Sequence, residues 1–550
     1  MREPAASDSA TVAQAFRRTV ARYPDSDFLF VLPETAARYD IEGRFWSYAE
    51  AAREVDSLME RYRGAGLRHG CRVGLMLENR PAFFFHWFAL NALGVSIVPL
   101  NAEWRSAELE HLMAHSEICL AVAPESRAME LNDAAYASER NIVVTTVELT
   151  NLEVVRPSTP AIDVPPDVNT ECALLYTSGT TGQPKGCVLP NEYFLWAGTW
   201  YSRLGGLCEI RSGLERLITP LPLSHMNALA FSSMVMLLTG GCIVQLDRFH
   251  PRSWWDSVRE SRATIIHYLG VMPAMLLGAP ASDCDGQSRV RFGFGAGVSP
   301  RLHAVFEERF GFPLIEAWAM TETGAGGVII ANRPQRKVGT GCFGRAEGRL
   351  ECRLVDDRGQ DSPPGAPGEL LVRQRGTAPR FGFFREYLKD PAATEEAWTG
   401  GYFHTGDIVQ LDADGDFHFV DRKKNVIRRS GENISAVEVE TVLMQYPGVA
   451  AVGVTAVADE VRGDEVMACV VSRERLHDTE RAAFAEELAR FCLARLAYFK
   501  APGYVGFCDR LPLTATEKIQ RARLKELGEA LLRSADCIDL RELKKRTVTT

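Results

Sequence analysis

The eleven residues Tyr176–Gly186, Tyr-Thr-Ser-Gly-Thr-Thr-Gly-Gln-Pro-Lys-Gly, constrain this chain more than any other stretch. They follow the apolar run Cys172–Tyr176 and carry three glycines (Gly179, Gly182, Gly186), four hydroxyls (Thr177, Ser178, Thr180, Thr181) and Lys185. An apolar run of that length reads as a buried strand. Glycines behind it let the backbone take positive φ and close on a ligand, so that successive N–H groups converge on an anion. The hydroxyls add donors and the lysine adds a full charge. Such compositions commonly make solvated turns, yet a solvated turn has no use for a hydroxyl row joined to Pro184-Lys185-Gly186 directly after a strand. A phosphate cradle is predicted here. Its spacing is not that of the common nucleotidase loop, Gly-x-x-x-x-Gly-Lys-Ser/Thr.

A chain of 550 residues exceeds one hydrophobic core, so two or more domains are expected. With a net charge of -9 there is no basic excess to neutralise a nucleic-acid backbone, and nucleic acid is excluded as a main partner. A small anion would have to be held by local features such as the cradle. The thirteen cysteines show no Cys-x-x-Cys pair, which fits buried thiols in a reducing cytoplasm. Met1–Asp8 carries acids where a signal peptide would turn apolar, so no signal peptide is predicted. The most membrane-like segment, Phe83–Leu100, is broken by His86, Asn91, Gly94, Ser96 and Pro99. It reads as a buried helix and a strand, not a span.

Taken in order, the chain predicts helix Val12–Ala21, a short hairpin, helix Tyr48–Arg63, strand Arg72–Leu77, helix Pro81–Leu93 and strand Val95–Leu100. Helix Ala107–His115 and strands Ile118–Ala123 and Asn141–Val147 follow, with a Pro-rich connector at Arg156–Pro166. Beyond the cradle come strand Leu217–Leu221, buried helix Ala228–Leu238, strand Ile243–Gln245 and helix Trp254–Ser261. This alternation to about Ile330 predicts layered parallel α/β sheets. From Gly339 short runs broken by Pro and Gly predict a small antiparallel, barrel-like β region. It includes a hairpin that turns through Asp412–Gly415. The expected boundary falls at the charged run Asp421–Lys424, giving an α/β domain over 1–421. A small mobile α+β domain over 422–535 and a tail over 536–550 complete the chain.

Further stretches carry groups suited to nucleotide chemistry. Trp318-Ala319-Met320-Thr321-Glu322-Thr323 offers an aromatic face, a hydroxyl and a carboxylate, although Thr-Glu-Thr alone is commonly a surface cap. Gly293-Phe-Gly295-Ala296-Gly297 taken alone reads as a packing turn between strand and helix. Asp407, in Tyr402-Phe-His-Thr-Gly-Asp-Ile, could accept from two vicinal hydroxyls, and is also an ordinary turn residue. Asp421-Arg-Lys-Lys-Asn-Val-Ile-Arg-Arg-Ser-Gly-Glu is a basic run, usually a solvated face, and that reading is kept for Lys423, Arg428 and Arg429. Leu511-Pro-Leu-Thr-Ala-Thr-Glu-Lys518 lies near the end. Pro222-Leu-Ser-His-Met-Asn227 holds His225, and a lone His beside apolar residues is commonly a satisfied core residue.

In this order and spacing, and with the cradle, these stretches resemble the adenylate-forming superfamily of acyl-CoA synthetases, luciferases and peptide-synthetase adenylation domains. The resemblance covers most of the chain. It implies ATP, Mg²⁺ and coenzyme A as ligands and a carboxylic acid as substrate. The cradle residues Thr177, Ser178, Gly179, Thr180, Thr181, Gly182 and Lys185 would hold the triphosphate. Thr321 would bind a phosphate oxygen, Glu322 would ligate Mg²⁺, and Trp318, Ala319 and Met320 would lie with Gly295, Ala296 and Gly297 along the adenine and acyl wall. Asp407 and Arg422 would bind the ribose, Lys424 would be the pivot, and Ser430, Gly431 and Glu432 would line the thiol's approach. Lys518 would bridge carboxylate and α-phosphate, and His225 would gate the acyl pocket. The chain departs from the family pattern at Ala319 and Glu517, where glycine is usual. The implied activity is a cytoplasmic carboxylate–CoA ligase, with medium-chain (fatty-acid) or carnitine-type acids in view and a homodimer among the assemblies the family allows. Loading of an acid onto a carrier protein, luciferase-like oxygenation and an inactive nucleotide-binding homologue are the alternatives. The first is disfavoured because Ala230-Phe231-Ser232-Ser233 lacks the aspartate of the family's amino-acid enzymes.

Overall fold

The computed structural model describes residues 10–544 apart from 151, 158–161, 178–183, 357, 423–426, 435, 475, 513–518 and 520. Its backbone groups into two compact units divided between Asp421 and Arg422, with Glu103–His111 and Tyr176–Lys185 grouping with the second.

The first unit is layered, as the alternation of strand and helix requires. One sheet orders the strands Glu386–Tyr387, Lys185–Pro190, Glu171–Thr177, Ser96–Pro99, Arg72–Leu75, Leu120–Ala123 and Val143–Thr146. The helix Ala82–Ala92 is apolar nearly all round, and Phe83–Asn91 are all buried, as a helix without a polar face must be. Phe88 stacks on Phe16 at 4.7 Å, and Phe28 sits 4.9 Å from Tyr48, so much of this core is aromatic. Among the described residues no helix is long and apolar enough to cross a membrane. The expected opening hairpin is interrupted, because helix Pro33–Tyr39 lies between its strands Asp27–Phe30 and Phe45–Ser47.

The second sheet carries several of the candidate residues. Its order is Ile329–Ile330, Leu314–Trp318, Phe292–Ala296, Ile265–Leu269, Arg216–Thr219, Cys242–Gln245, Asp27–Phe30 and Phe45–Ser47. The four strands from Leu314–Trp318 to Arg216–Thr219 are mutually parallel, with Tyr268 beside Gly295 and Gly295 beside Glu316. Their carboxyl ends therefore lie on one edge, where open parallel sheets bind ligands. The predicted helix Ala228–Leu238 is instead a π-turn, Asn227–Ser232, followed by the α-helix Ser233–Thr239.

The antiparallel region expected from Gly339 orders Cys342–Gly344, Phe417–Arg422, Phe403–Leu411, Pro367–Gln374 and Leu350–Val355. Its hairpin turn is closed by Asp412, which accepts the N–H groups of Asp414 and Asp416.

The second unit is α+β. Strand Gly463–Ser472 is central, flanked by Val449–Asp459, Ile427–Arg429 and Tyr504–Phe507, and helices Ala436–Leu443, Asp478–Leu493 and Arg521–Leu532 accompany it. The expected tail is in part structural. Cys537–Asp539 adds antiparallel to Tyr504–Phe507, and the turn Arg541–Lys544 buries Lys544. An exposed tail was expected because that segment is polar, but Lys544 finds a buried carboxylate, Glu465.

Candidate active site

Nine of the candidate residues sit on or just beyond the carboxyl edge of the eight-stranded sheet. Strand Phe292–Ala296 delivers Gly295, Ala296 and Gly297, and strand Leu314–Trp318 delivers Trp318 and then Ala319, Met320, Thr321 and Glu322. Strand Arg216–Thr219 leads to His225. The glycines are there for close approach. A Cβ on Gly295 would stand 2.2 Å from the Tyr268 carbonyl oxygen, and one on Gly270 would overlap the Gly297 carbonyl at 1.7 Å.

Glu316, a buried carboxylate, fixes this turn. It accepts from Gly297 N–H at 2.9 Å and Val298 N–H at 3.3 Å, and from the Tyr268 hydroxyl at 2.7 Å. Burial pushes its carboxyl above the usual carboxylate range, while the Tyr268 hydrogen bond pulls the other way. An acid inside the apolar run Leu314-Ile-Glu-Ala-Trp was the one sequence signal for it.

The stretch after Trp318 is held from three sides. The Thr323 hydroxyl accepts Met320 N–H, and the Tyr193 hydroxyl donates to the Thr321 carbonyl at 2.9 Å. The Tyr387 hydroxyl donates to Glu322 Oε1 at 3.1 Å. Glu322 is 6% exposed and Thr323 fully buried, so this is no surface cap. Burial and the Glu322 charge raise the Tyr387 phenol far above its ordinary range, keeping it a neutral donor. It orients the carboxylate without neutralising it.

The same helix that supplies Tyr193, Asn191–Ser202, also reaches Ala325 O through Trp196 Nε1. At its far end Trp200 packs on Phe231 of the π-turn, and Tyr201 stacks on Phe294 at 4.7 Å. These contacts account for Trp196, Trp200 and Tyr201 as packing on one helix.

Trp318 is 6% exposed, and its indole N–H donates to Asp407 Oδ2 at 2.8 Å. That bond ties the antiparallel region to the parallel sheet at the point where both carry candidate residues. Asp407 is fully buried, its N–H held by the Thr405 hydroxyl. Asn79 fixes the approach to His225, accepting Leu223 N–H at 3.0 Å and donating to Leu246 O at 2.7 Å. His225 itself is half-buried. Asn79 and Tyr387 gave no sequence signal, since each acts on residues far along the chain.

Thr177 ends the strand Glu171–Thr177, and Lys185 opens the strand Lys185–Pro190. Ser178, Gly179, Thr180, Thr181, Gly182, Lys424 and Lys518 lie outside the described residues, as does Glu517. Arg422 ends the strand Phe417–Arg422.

In the second unit, Ser430 and Gly431 form the exposed two-residue turn between paired Arg429 and Glu432, with φ of 51° and 89°. Two successive positive φ values are what a tight primed hairpin needs. Arg429 is not on a solvated face. It is 2% exposed, with Nε donating to Glu465 Oε2 at 2.8 Å, and Lys544 also pairs with Glu465. Burial pushes the Lys544 amine down to about 7. Arg428 is half-buried, its N–H held by Asp464 at 2.9 Å. Lys423 lies outside the described residues.

Comparison with known proteins identifies the family. The family described as AMP-binding enzyme matches residues 16–381, and the AMP-binding enzyme C-terminal domain matches 438–518. The crotonobetaine/carnitine–CoA ligase of Shigella sonnei is 32% identical over 496 residues, spanning 87% of this chain and 93% of that protein. Among solved structures, an o-succinylbenzoate CoA synthetase double mutant from Bacillus subtilis shares the fold. It has a TM-score of 0.78 and 24% identity, over 93% of this chain and 98% of that one. An amide bond synthetase from Marinactinospora thermotolerans does so at 0.78 and 23%, over 93% and 99%. With two family matches across both units and a full-length relative, the chain belongs to the AMP-binding enzymes, as an AMP-forming carboxylate–CoA ligase.

Proposed function

We propose that the chain activates a medium-chain or carnitine-type carboxylic acid with ATP and Mg²⁺ and passes the acyl group to coenzyme A. A carboxylate cannot acylate a thiol directly, because it is a poor electrophile with a poor leaving group. Adenylation solves this, provided the charge that develops on the α-phosphate is offset by preorganised donors. The observation that carries the reading is the meeting of Trp318–Glu322, Gly295–Gly297 and Asp407 at one sheet edge.

Thr177–Gly182 and Lys185 hold the triphosphate, with Thr321 on a phosphate oxygen. Asp407 and Arg422 take the ribose. Trp318, Ala319 and Met320 face Gly295, Ala296 and Gly297 across the adenine and acyl groups, and His225 gates the acid. Glu322 fits a hard divalent cation, being a carboxylate held by a neutral phenol donor. When bound, Mg²⁺ supplies charge stabilisation at the phosphates. Lys518 bridges carboxylate and α-phosphate in the first step. The C-terminal domain then turns at Lys424 and brings Ser430–Glu432 to the thiol's path. The protein works in the cytoplasm, which suits thirteen cysteines in no disulfide.

The test is Lys518→Ala. Pyrophosphate exchange driven by the acid should fall about a hundredfold or more, while thioester formation from presupplied acyl-adenylate persists. Equal loss of both steps would remove Lys518 from the adenylation role, and absence of exchange in the unmodified enzyme would refute the activity.

A further inference from the structure

Between the helix Asn191–Ser202 and the π-turn Asn227–Ser232 lies a buried polar cluster that nothing above uses. Its centre is His267, on strand Ile265–Leu269, with no exposure to solvent. The Tyr201 hydroxyl lies 3.0 Å from Nε2. Asn227 Oδ1 and Ser232 Oγ each lie 2.8 Å from Nδ1. A carbonyl oxygen only accepts, so Nδ1 carries the proton and donates to Asn227. Nε2 then accepts from Tyr201, and the ring is neutral. Burial agrees, pushing the imidazole down to about 3.

The oxygen of the Asn227 amide is committed to His267, so Asn227 Nδ2 points away from the cluster, and Nδ2 has no protein partner among the described residues. Asn227 is half-buried, as are its neighbours His225 and Met226 and the facing Trp200. The turn is wound i→i+5, with the Ser233 hydroxyl bonded to Ala228 O at 2.6 Å and Ser232 Oγ to Asn227 O at 3.3 Å. Such a bulge adds one residue to the turn and re-aims its side chains. The tyrosine, histidine, asparagine and serine of the cluster are all uncharged.

Resting on the reading of His225 as the acyl gate, we infer that Asn227 is a specificity residue of the acid pocket. Its amide, oriented by His267, donates to a neutral oxygen on the acyl chain. The preferred substrate is then a carboxylic acid that carries a hydroxyl, keto or ether oxygen, not a plain alkyl acid. His267 is a positioning residue in this scheme.

The experiment compares hydroxy and keto acids with plain acids of the same length, and carnitine with its analogue lacking the hydroxyl. Coenzyme A thioester formation is measured at saturating ATP. The wild type should favour the oxygenated member of a pair at least tenfold in kcat/KM, because its absence leaves a donor unpaired. Asn227→Leu should lose that ratio with KM for ATP unchanged, and His267 Nδ1–H keeps Ser232 as acceptor in that variant. Asn227→Asp, an acceptor where the donor was, should reverse the ratio for keto and ether acids, whose oxygen only accepts, and retain it for hydroxy acids, whose hydroxyl can donate. His267→Gln, which can still donate to Asn227, should retain it, and His267→Leu should lower it. Equal use of plain and oxygenated acids, or a ratio unmoved in Asn227→Leu, overturns the inference and leaves the ligase activity standing. No thioester from any acid defeats both.

Discussion

Two buried histidines should make the first unit acid-labile by a calculable amount. His267 is pushed down to about 3 and His86 to about 4, in both cases chiefly by burial. The geometry of His86 repeats that of His267. Its Nε2 donates to Val147 O at 2.9 Å and its Nδ1 accepts from the Tyr62 hydroxyl at 2.5 Å, so the neutral ring has both nitrogens satisfied and no place for a second proton. In the unfolded chain each titrates near the ordinary value of about 6.5. Between the folded and unfolded values the unfolded state binds the proton and the folded state does not. The stabilisation is therefore complete above about 6.5 and is lost as pH falls toward 4 and 3. At pH 5 each histidine costs about 2 kcal/mol relative to pH 7.5, or about 4 kcal/mol for the pair. Eight of the nine tryptophans lie in the first unit, so their fluorescence during urea unfolding reports on it. Comparing unfolding free energies at pH 7.5 and 5.0, His267→Gln and His86→Gln should each shrink the acid-induced drop by about half of the pair's share, even though each is less stable at pH 7.5. If the drop is the same size in both variants as in the wild type, these rings are not neutral in the folded state and the tautomer assignments above fail.

Glu316→Ala removes the acceptor for two backbone N–H groups and a buried phenol. It should lower stability by about 3 kcal/mol or more and raise KM for ATP about tenfold, as read by acid-dependent pyrophosphate exchange. An unchanged KM for ATP would detach the Gly295–Gly297 turn from the nucleotide. Arg429→Met leaves Glu465 with Lys544 and the longer Arg462 contact at 3.5 Å, and should cost about 3 kcal/mol in the second unit, because it breaks a buried ion network. Since Arg429 anchors the Ser430-Gly431 turn, single-turnover measurements should find thioester formation slowed and adenylate formation preserved. Equal slowing of both would place the turn outside the thiol's path.

What was legible in the sequence is what neighbours along the chain decide. The alternation of strand and helix through Ile330 follows from local periodicity, and the motif order carried the superfamily. The π-turn was not legible, because Ala228–Leu238 is apolar apart from Ser232 and Ser233, a pattern that an α-helix also satisfies. The choice falls to Asn227 and Ser232 meeting His267, 40 and 35 residues away. Glu316 and Tyr387 were missed for the same reason, with partners 48 and 65 residues distant.

Arg429 shows the limit in its sharpest form. A basic run reads as solvated because a charge without a partner does not stay buried. Its partner Glu465 lies 36 residues on, and Lys544 comes from a segment that reads as tail. Each charge alone argues for exposure, and only together do they permit burial. Misreading the run and misreading the tail were thus one error. The same logic holds at the site. Asp407 and Trp318 each look like common turn and core residues, and it is their mutual hydrogen bond across 89 residues that joins the antiparallel region to the carboxyl edge of the parallel sheet. Polar groups inside a fold are specified in pairs, so a sequence read residue by residue finds the motifs of this enzyme and misses the contacts that hold them in register.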